Sequence, residues 1–395
     1  MKILHITPAY TPAYRYGGPI SSVHTLNKWL VRAGVDVTVY ATNADGRGTL
    51  DVPLETPVEQ DGVKVVYFPI SFPRSWFYSR TMHKALREHC KEFDIVHVTS
   101  VFLAASTLGA YYAKKCGKPY IISPRGSLMI DPLTKKSSLK KTFYLKFIEK
   151  NNLKNASAIH FTAPKEEKEY RTKNFPIKRS IVIPNGIDVD KKKVVSAGRF
   201  KKRLGISPER EVILYHGRIG WKKGFDTLIP AFGRVHEKNP GAILVIAVWS
   251  DEGYKATIMQ LIAKYQLETS ILFTGPLEGI ERAEAFVDTD VFVLGSYSEN
   301  FGVALGQAMA ASVPVVVTEG VAIGSDVLEA KAGLVVPKDD RALADAILKI
   351  LGDPVEGKKM GERGRALVAM KYSYNKIAER FIEEYSKCTH KDNFL

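Results

Sequence analysis

Ser296-Tyr-Ser-Glu-Asn-Phe-Gly-Val-Ala-Leu-Gly-Gln-Ala-Met-Ala-Ala-Ser-Val-Pro-Val-Val-Val-Thr318 runs through a polar turn, a helix and a strand in that order. Just before it, Asp290-Val-Phe-Val-Leu294 is a β-rich apolar run ending at Gly295 and Ser296, the pattern of a short buried strand. Ser298, Glu299, Asn300 and Gly302 make the turn, and the Ala-, Leu-, Gln- and Met-rich residues from Val303 to Ala311 suit a helix. Val315-Val-Val-Thr318 returns as a strand. Strand, tight turn, helix and strand form one βαβ unit, whose turn opens at the carboxyl edge of a parallel sheet. At the helix start the backbone N–H groups of Phe301, Gly302 and Val303 are expected to lack partners, and the helix dipole favours an anion there. Glu299 sets a carboxylate beside those donors, and Gln307 follows about two helical turns further on. Donors for phosphate and acceptors for hydroxyl groups, held in one pocket, suit a sugar nucleotide.

Around this unit the chain has room for a second of the same kind. Its 395 residues suit two domains of roughly 200 residues each. A content of 45% hydrophobic and 25% charged residues describes a folded chain rather than a disordered one. No apolar run approaches the ~18–20 residues that span a bilayer, and Met1-Lys-Ile-Leu-His enters a strand directly; a cytoplasmic protein is expected. Cys90, Cys116 and Cys388 are widely spaced and make no C-x-x-C pair, which points to a reducing compartment and away from a disulfide frame or zinc site. The net charge of +15 is unevenly placed. Residues 1–185 carry 28 Lys and Arg against 14 Asp and Glu, whereas the remainder carries 29 against 28. A field confined to one half suits nucleic acid, an anionic membrane surface or a phosphate-bearing lipid acceptor.

Strands and helices alternate throughout. Lys2-Ile-Leu-His-Ile-Thr7 is an opening strand, followed by a Pro- and Tyr-rich loop ending in Tyr16, Gly17, Gly18 and Pro19, and then a helix to about Ala33. Further strands are expected at Val35–Tyr40, Val63–Phe68, Asp94–Thr99, Pro119–Ser123, Ala158–Thr162 and Ile181–Pro184. His97 and Thr99 face one side of their strand, and Arg125 sits in the loop Ser123-Pro-Arg-Gly-Ser-Leu128. From Lys135 to Lys154, Leu139, Phe143, Phe147 and Ile148 recur at helical spacing, while Lys135, Lys136, Lys140, Lys141 and Lys146 crowd the other face; this segment is the expected membrane contact. Asn185-Gly-Ile-Asp188 is a turn, which sets domain boundaries of 1–187 and 188–373, with a final amphipathic helix at about 374–390. The second half opens with Val212-Ile-Leu-Tyr-His216 and then Gly217-Arg-Ile-Gly-Trp-Lys-Lys-Gly-Phe225. There Arg218 offers a fork of donors and Lys223 a point charge, five residues apart between glycines, which suits a pyrophosphate.

The G-R-x4-K-G loop at Arg218 and Lys223, with the Glu299 turn and the F-G-x helix start, resembles the donor site of retaining glycosyltransferases of family 4. That resemblance extends along the whole chain. It implies the GT-B fold, an α/β architecture of two Rossmann-like parallel-sheet domains facing across a cleft, with the last helix crossing back to the first domain. It implies an enzyme that moves a sugar from a UDP- or GDP-sugar onto a hydroxyl acceptor, carbohydrate or lipid-linked, in cell-surface polysaccharide or glycolipid synthesis. Arg218, Lys223 and Glu299 would act at the reacting diphosphate and sugar. Gly17, Gly18, Leu277, Asn300, Phe301, Gly302, Val303 and Gln307 would hold the donor, Leu277 at the nucleobase. Tyr16, Thr99 and Arg125 would meet the acceptor. The chain departs from the family's pattern at two of these places and at Ser312. Gln307 stands where the second acid usually lies, Thr99 where a histidine does, and Ser312 where a glycine precedes the Val-Pro turn.

A metal-assisted transferase would carry an acidic D-x-D pair at a strand end. Asp188-Val-Asp190 falls in the inter-domain linker, and Asp288-Thr-Asp290 spans a helix end and a strand start. The expectation is therefore an enzyme without cofactor or metal, with Arg218, Lys223 and helix amides neutralising the leaving group. It would be cytoplasmic or peripheral on the inner face of the membrane, with no nucleic-acid partner. A sugar-nucleotide epimerase of the same fold and a nucleotide-sugar binding protein without turnover remain as alternative readings.

Overall fold

In the computed structural model the order of the strands within each sheet is what places the candidate loops. The structure describes residues 1–129, 144–189, 195–249, 252–299 and 301–389. They form two compact units, Met1–Gly186 with Tyr374–Leu395, and Ile187–Ser373.

The first unit contains β1 (Lys2–Ala9), β2 (Asp36–Thr42), the small ribbon β3 (Ala44–Asp45) and β4 (Gly48–Thr49), β5 (Val58–Gln60), β6 (Val63–Phe68), β7 (Ile95–Thr99), β8 (Tyr120–Ser123), β9 (Ala158–Phe161) and β10 (Ser180–Val182). Eight of these form one sheet in the order β10-β9-β8-β7-β1-β2-β6-β5, parallel except for the edge strand β5. The register sets Ile3 beside Ile95 and Lys2 beside Asp36. Alternation along β1 sends Ile3 toward a core shared with Leu26 and Leu30 of the helix Gly18–Arg32 and Phe381 of the helix Tyr374–Thr389. Leu4 and Ile6 face the opposite core, with Met82, Leu86 and Ala105. Covering both faces is what lets β7 be buried at all five positions. The last helix is stitched to this unit by Arg380 Nη2, which donates to the Val182 carbonyl (2.7 Å), and by the Arg179–Glu384 pair (3.0 Å). Strand order reverses at β1, so the loops after β1 and β7 leave the sheet at its switch point.

The second unit holds β11 (Val212–Arg218), β12 (Ile243–Trp249), β13 (Ile271–Phe273), β14 (Val291–Leu294), β15 (Val315–Thr318) and β16 (Gly333–Val336). All are parallel, in the order β13-β12-β11-β14-β15-β16. The reversal here lies between β11 and β14, which brings the Arg218 loop and the Glu299 turn to adjacent strand ends. The expected lysine-rich helix is only partly visible. Lys135, Lys136, Lys140 and Lys141 lie outside the described residues, and Leu145–Glu149 is a π-helical turn leading into the helix Lys150–Asn155. No helix among the described residues is long and apolar enough to cross a membrane.

Candidate active site

At the end of β11 the chain turns sharply through a short 3-10 turn, Trp221–Lys223, before the helix Phe225–Lys238 begins. Gly224, at φ +68°, makes this turn possible, and a Cβ there would run into the carbonyl oxygen of Gly295 in the loop after β14. The two loops are therefore in backbone contact. The Tyr297 amide reinforces the contact by donating to the Lys222 carbonyl (2.8 Å), and the Tyr297 hydroxyl donates to Asp226 Oδ2 (2.6 Å) in the first turn of the helix. Arg218 is exposed, and its guanidinium makes no hydrogen bond or ion pair among the described residues. Lys223, the point charge of the loop, pairs through its Nζ with Glu299 Oε2, both side chains being 20% exposed.

Glu299 is held in place from the backbone. Its amide donates to Gly320 O (3.0 Å), and its carbonyl accepts from the Ala322 amide (3.0 Å), so the loop after β15 frames the carboxylate. Gly302, at φ +76°, caps the helix Val303–Ala310 without any side-chain cap, as expected for a helix start kept open. Among the described residues the amides of Phe301, Gly302 and Val303 have no acceptor. The Phe301 side chain, however, is buried edge-on against Tyr372 (5.3 Å between ring centres), so only its backbone could meet a ligand. Gln307 is half-buried, and its amide group has no partner among the described residues. Asn300 lies outside the described residues. Leu277 follows β13 with its side chain buried and its backbone near the His216 ring. Burial lowers the His216 pKa to about 4, the nearby Arg282 charge lowers it too, and the Leu277 backbone opposes them.

The residues expected at the acceptor lie in the first unit, and Thr99 is not available as a contact. It is buried with its Oγ1 2.8 Å from His5 Nε2, while His5 Nδ1 lies 2.7 Å from Asn27 Oδ1. Since an amide oxygen only accepts, His5 carries its proton on Nδ1 and accepts from Thr99. His97 stacks on His5 at 4.4 Å and bonds Tyr385 and Ser123 (both 2.6 Å), a fully satisfied core histidine. Ser123 also meets His160 (2.6 Å). Burial lowers all three imidazole pKa values, His5 to about 4, His160 to about 3 and His97 well below its usual value. Arg125 has φ +52° and donates from Nη1 to Asn185 Oδ1 (2.5 Å), while its buried Nε has no partner. Tyr16 packs on Phe77 and accepts from the Gly46 amide (2.9 Å), and Gly17 and Gly18 open the helix Gly18–Arg32.

Both aspartates of Asp288-Thr-Asp290 serve the backbone. Asp288 accepts from the amides of Gly198 (2.5 Å), Phe200 (2.8 Å) and Lys201 (3.0 Å), and Asp290 accepts from Val212 (2.7 Å). Sequence reasoning missed Tyr297, which ties the loop after β14 to the Arg218 loop, and Gly320, which ties it to the loop after β15. The Tyr297–Asp226 pair is separated by 71 residues, and no local pattern announces it.

Comparison with known proteins bears on the family and the fold. The family model described as Glycosyl transferases group 1 matches residues 196–367, and that described as Glycosyl transferase 4-like domain matches residues 17–186. An uncharacterized glycosyltransferase of Methanocaldococcus jannaschii is 26% identical over 407 aligned positions, covering 98% of both chains. A D-inositol 3-phosphate glycosyltransferase of Nocardia farcinica is 26% identical over 211 positions. That match takes in 52% of this chain and 47% of the relative, so the chain spans only about half that relative's length. The Anabaena protein HepE, solved in complex with UDP and glucose, superposes with a TM-score of 0.76 at 18% identity, over 98% of this chain and all of its own. At that identity the likeness shows the fold, and the GT-B class expected from the sequence is borne out. With the two family models spanning most of its length, the chain belongs to the glycosyl transferases of group 1.

Proposed function

We propose that residues 187–373 bind a nucleoside diphosphate sugar carried on UDP or GDP, and that the enzyme transfers its sugar, with retention of configuration, to a hydroxyl of a carbohydrate or lipid-linked acceptor. The observation that carries this reading is the meeting, at one sheet switch point, of an exposed Arg218 guanidinium, without a partner among the described residues, with the Lys223–Glu299 pair and a helix start that has no side-chain cap among them. A diphosphate supplies the anion that this edge lacks. Lys223 exchanges Glu299 for phosphate oxygens, Arg218 takes a fork of two, and the amides of Gly302 and Val303 add neutral donors. The released Glu299 carboxylate accepts from sugar hydroxyls, and Gln307 meets the ribose. Leu277 lines the base through its backbone.

Cleavage of the glycosidic C–O bond leaves positive charge at the anomeric carbon and negative charge on the departing diphosphate. Cations already in place for that negative charge lower the barrier most. The acceptor oxygen attacks on the face the diphosphate leaves, and a phosphate oxygen takes its proton, so no separate protein base is required. Asp288 and Asp290, both bonded to backbone amides, support a metal-independent reaction. The names of the relatives, a glycosyltransferase acting on D-inositol 3-phosphate and a protein solved with UDP and glucose, belong to those proteins and support a sugar-nucleotide donor here. The surplus of basic residues before residue 186 supports peripheral attachment to an anionic membrane from the cytoplasmic side. Thermal melting with UDP and GDP tests the donor site. At 100 times Kd a nucleotide stabilises by about 2.7 kcal/mol, a shift that Arg218→Ala should abolish. Melting unaffected by either nucleotide contradicts the reading, and loss of turnover on chelation contradicts its metal-independent part.

A further inference from the structure

Three aromatic rings stand in a row at the carboxyl edge of the first unit's sheet, supplied by segments far apart in sequence. Phe102 lies in the loop after β7, Trp76 in the loop after β6, and Tyr144 just before the π-helical turn Leu145–Glu149. Tyr144 is the middle one, with its ring centre 5.8 Å from Trp76 and 6.1 Å from Phe102. Each is held from behind. Glu149, buried and without an ion pair among the described residues, accepts from the Phe102 amide (3.0 Å) and from Thr107 Oγ1 (3.1 Å). Since Thr107 gives its one hydroxyl proton to Glu149, the Tyr144 hydroxyl donates to Thr107 (2.6 Å). Phe102 is kept at φ +66° and Ser100 at +76°, left-handed backbone that side-chain-bearing residues rarely adopt. The Trp76 loop is closed by Ser71 N donating to Tyr78 O (2.7 Å) and by Trp76 N donating to Pro73 O (3.0 Å). On this base Trp76 remains 47% exposed. A buried carboxyl and a strained backbone are costs that a fold carries where the geometry they fix is used.

The chemistry of the row selects its ligand. Segments 69–79 and 100–103 hold one charged residue, Arg74, and its Nη2 is turned to the Gly48 carbonyl (2.6 Å). Hydroxyl groups are plentiful instead, on Ser71, Ser75, Tyr78 and Ser100, all at least partly exposed. Aromatic faces beside hydroxyls, in segments almost free of charge, fit a neutral sugar ring. Such a ring offers a C–H face to stack and a rim of hydroxyls to bond. An acyl chain would use the faces and leave the hydroxyls idle, and a phosphate would find only Arg74 in these segments. We propose that Trp76, Tyr144 and Phe102 form the stacking floor of an acceptor subsite, and that the acceptor presents a neutral sugar ring to it. The inference rests on the transferase reading proposed above and narrows its acceptor from any hydroxyl compound to a glycoside.

Titration of the full chain with methyl glycosides of glucose, galactose, mannose and N-acetylglucosamine, followed by tryptophan fluorescence and by saturation-transfer NMR, tests it. At least one glycoside should give a saturable fluorescence change in the wild type. Trp76→Phe should remove that change while the NMR transfer persists, and Trp76→Ser should weaken binding at least about tenfold. The melting shift produced by UDP or GDP should be the same in both variants as in the wild type, because Arg218 and Glu299 belong to the second unit. A fluorescence change that survives Trp76→Phe, or a glycoside that binds Trp76→Ser as tightly as the wild type, overturns the subsite. So does a wild type that responds to nucleotide but to no glycoside, and each of these results leaves the donor site standing. A wild type that responds to neither overturns the proposed function together with this inference. Binding of short-chain phosphatidylcholine micelles that requires Trp76, with no glycoside response, would make the row a lipid contact and overturn the inference as well.

Discussion

Both units turn their strand order at one point, yet the polar groups at the two switch points are arranged in opposite ways. After β11 and β14 the groups are charged: Arg218 is exposed and has no partner among the described residues, the partly buried Lys223 and Glu299 hold each other, and the helix start at Gly302 has no side-chain cap among the described residues. At the ends of β1 and β7 the polar side chains are turned inward and neutral, with Asn27–His5–Thr99 and His97–Ser123–His160 forming two buried hydrogen-bonded sets joined by the stacked rings of His5 and His97. Buried neutral groups that satisfy each other hold a backbone still but have little to offer a charged ligand. Exposed charges with exchangeable partners bind anions at modest cost. Under the proposed function, this difference gives anion binding to the second unit and a rigid, acid-sensitive scaffold to the first.

Acid should break this contrast most strongly. His5, His97 and His160 have folded pKa values pushed below the unfolded value of about 6.5, so their contribution is complete above that pH and is lost as pH falls. At pH 5.5 the loss is about 1.4 kcal/mol per group, or roughly 4 kcal/mol for the three. In the second unit His216 is the one histidine with a resolved downward shift. Hydrogen exchange followed by peptide should therefore show β1, β7 and β8 loosening between pH 7.5 and 5.5 before β11 and β14 do. Equal loosening of both sheets would contradict the assignment.

Arg218→Ala tests the other side of the contrast. Removing a cation from a developing anion costs about 3–4 kcal/mol, so turnover should fall by two to three orders of magnitude. Melting without nucleotide should not move, because Arg218 holds nothing in the fold. Thr99→Val should behave in reverse. It strands the His5 Nε2 acceptor and should destabilise the first unit by about 1–3 kcal/mol, while UDP affinity stays as in the wild type. Weakened nucleotide binding in Thr99→Val, measured by calorimetry, would show that the buried set reaches the donor.

The smallest effect is expected at Gln307. A carboxylate can accept from both ribose hydroxyls, whereas the amide offers one acceptor oxygen. Gln307→Glu should tighten the donor by about 1–2 kcal/mol, seen in KM with kcat nearly constant. An unchanged or raised KM would remove Gln307 from the ribose.

The fold was legible because it is written in local pattern. The run Asp290-Val-Phe-Val-Leu294, the Gly302 break and Val315-Val-Val-Thr318 each announce their element, and alternation along the chain implies parallel sheets. What was illegible depends on long-range register. Nothing near Thr99 shows that its hydroxyl belongs to His5, 94 residues earlier, because that follows from the pairing of β1 with β7. Nor does the Arg218 loop reveal that Lys223 is paired with Glu299, 76 residues on. Ser312 is a different case. Its φ of +63° explains why glycine suits that turn, a constraint the sequence alone did not show.

The most direct test of the donor-site account is incubation of the protein with a panel of UDP- and GDP-sugars, following free nucleotide, sugar configuration and bound ligand together. The account predicts nucleotide release from one donor, stimulated by a hydroxyl acceptor, with the anomeric configuration retained in the product and the release lost in Arg218→Ala and Glu299→Ala. Conversion of the donor to its epimer without nucleotide release, or tight binding without turnover, would contradict it.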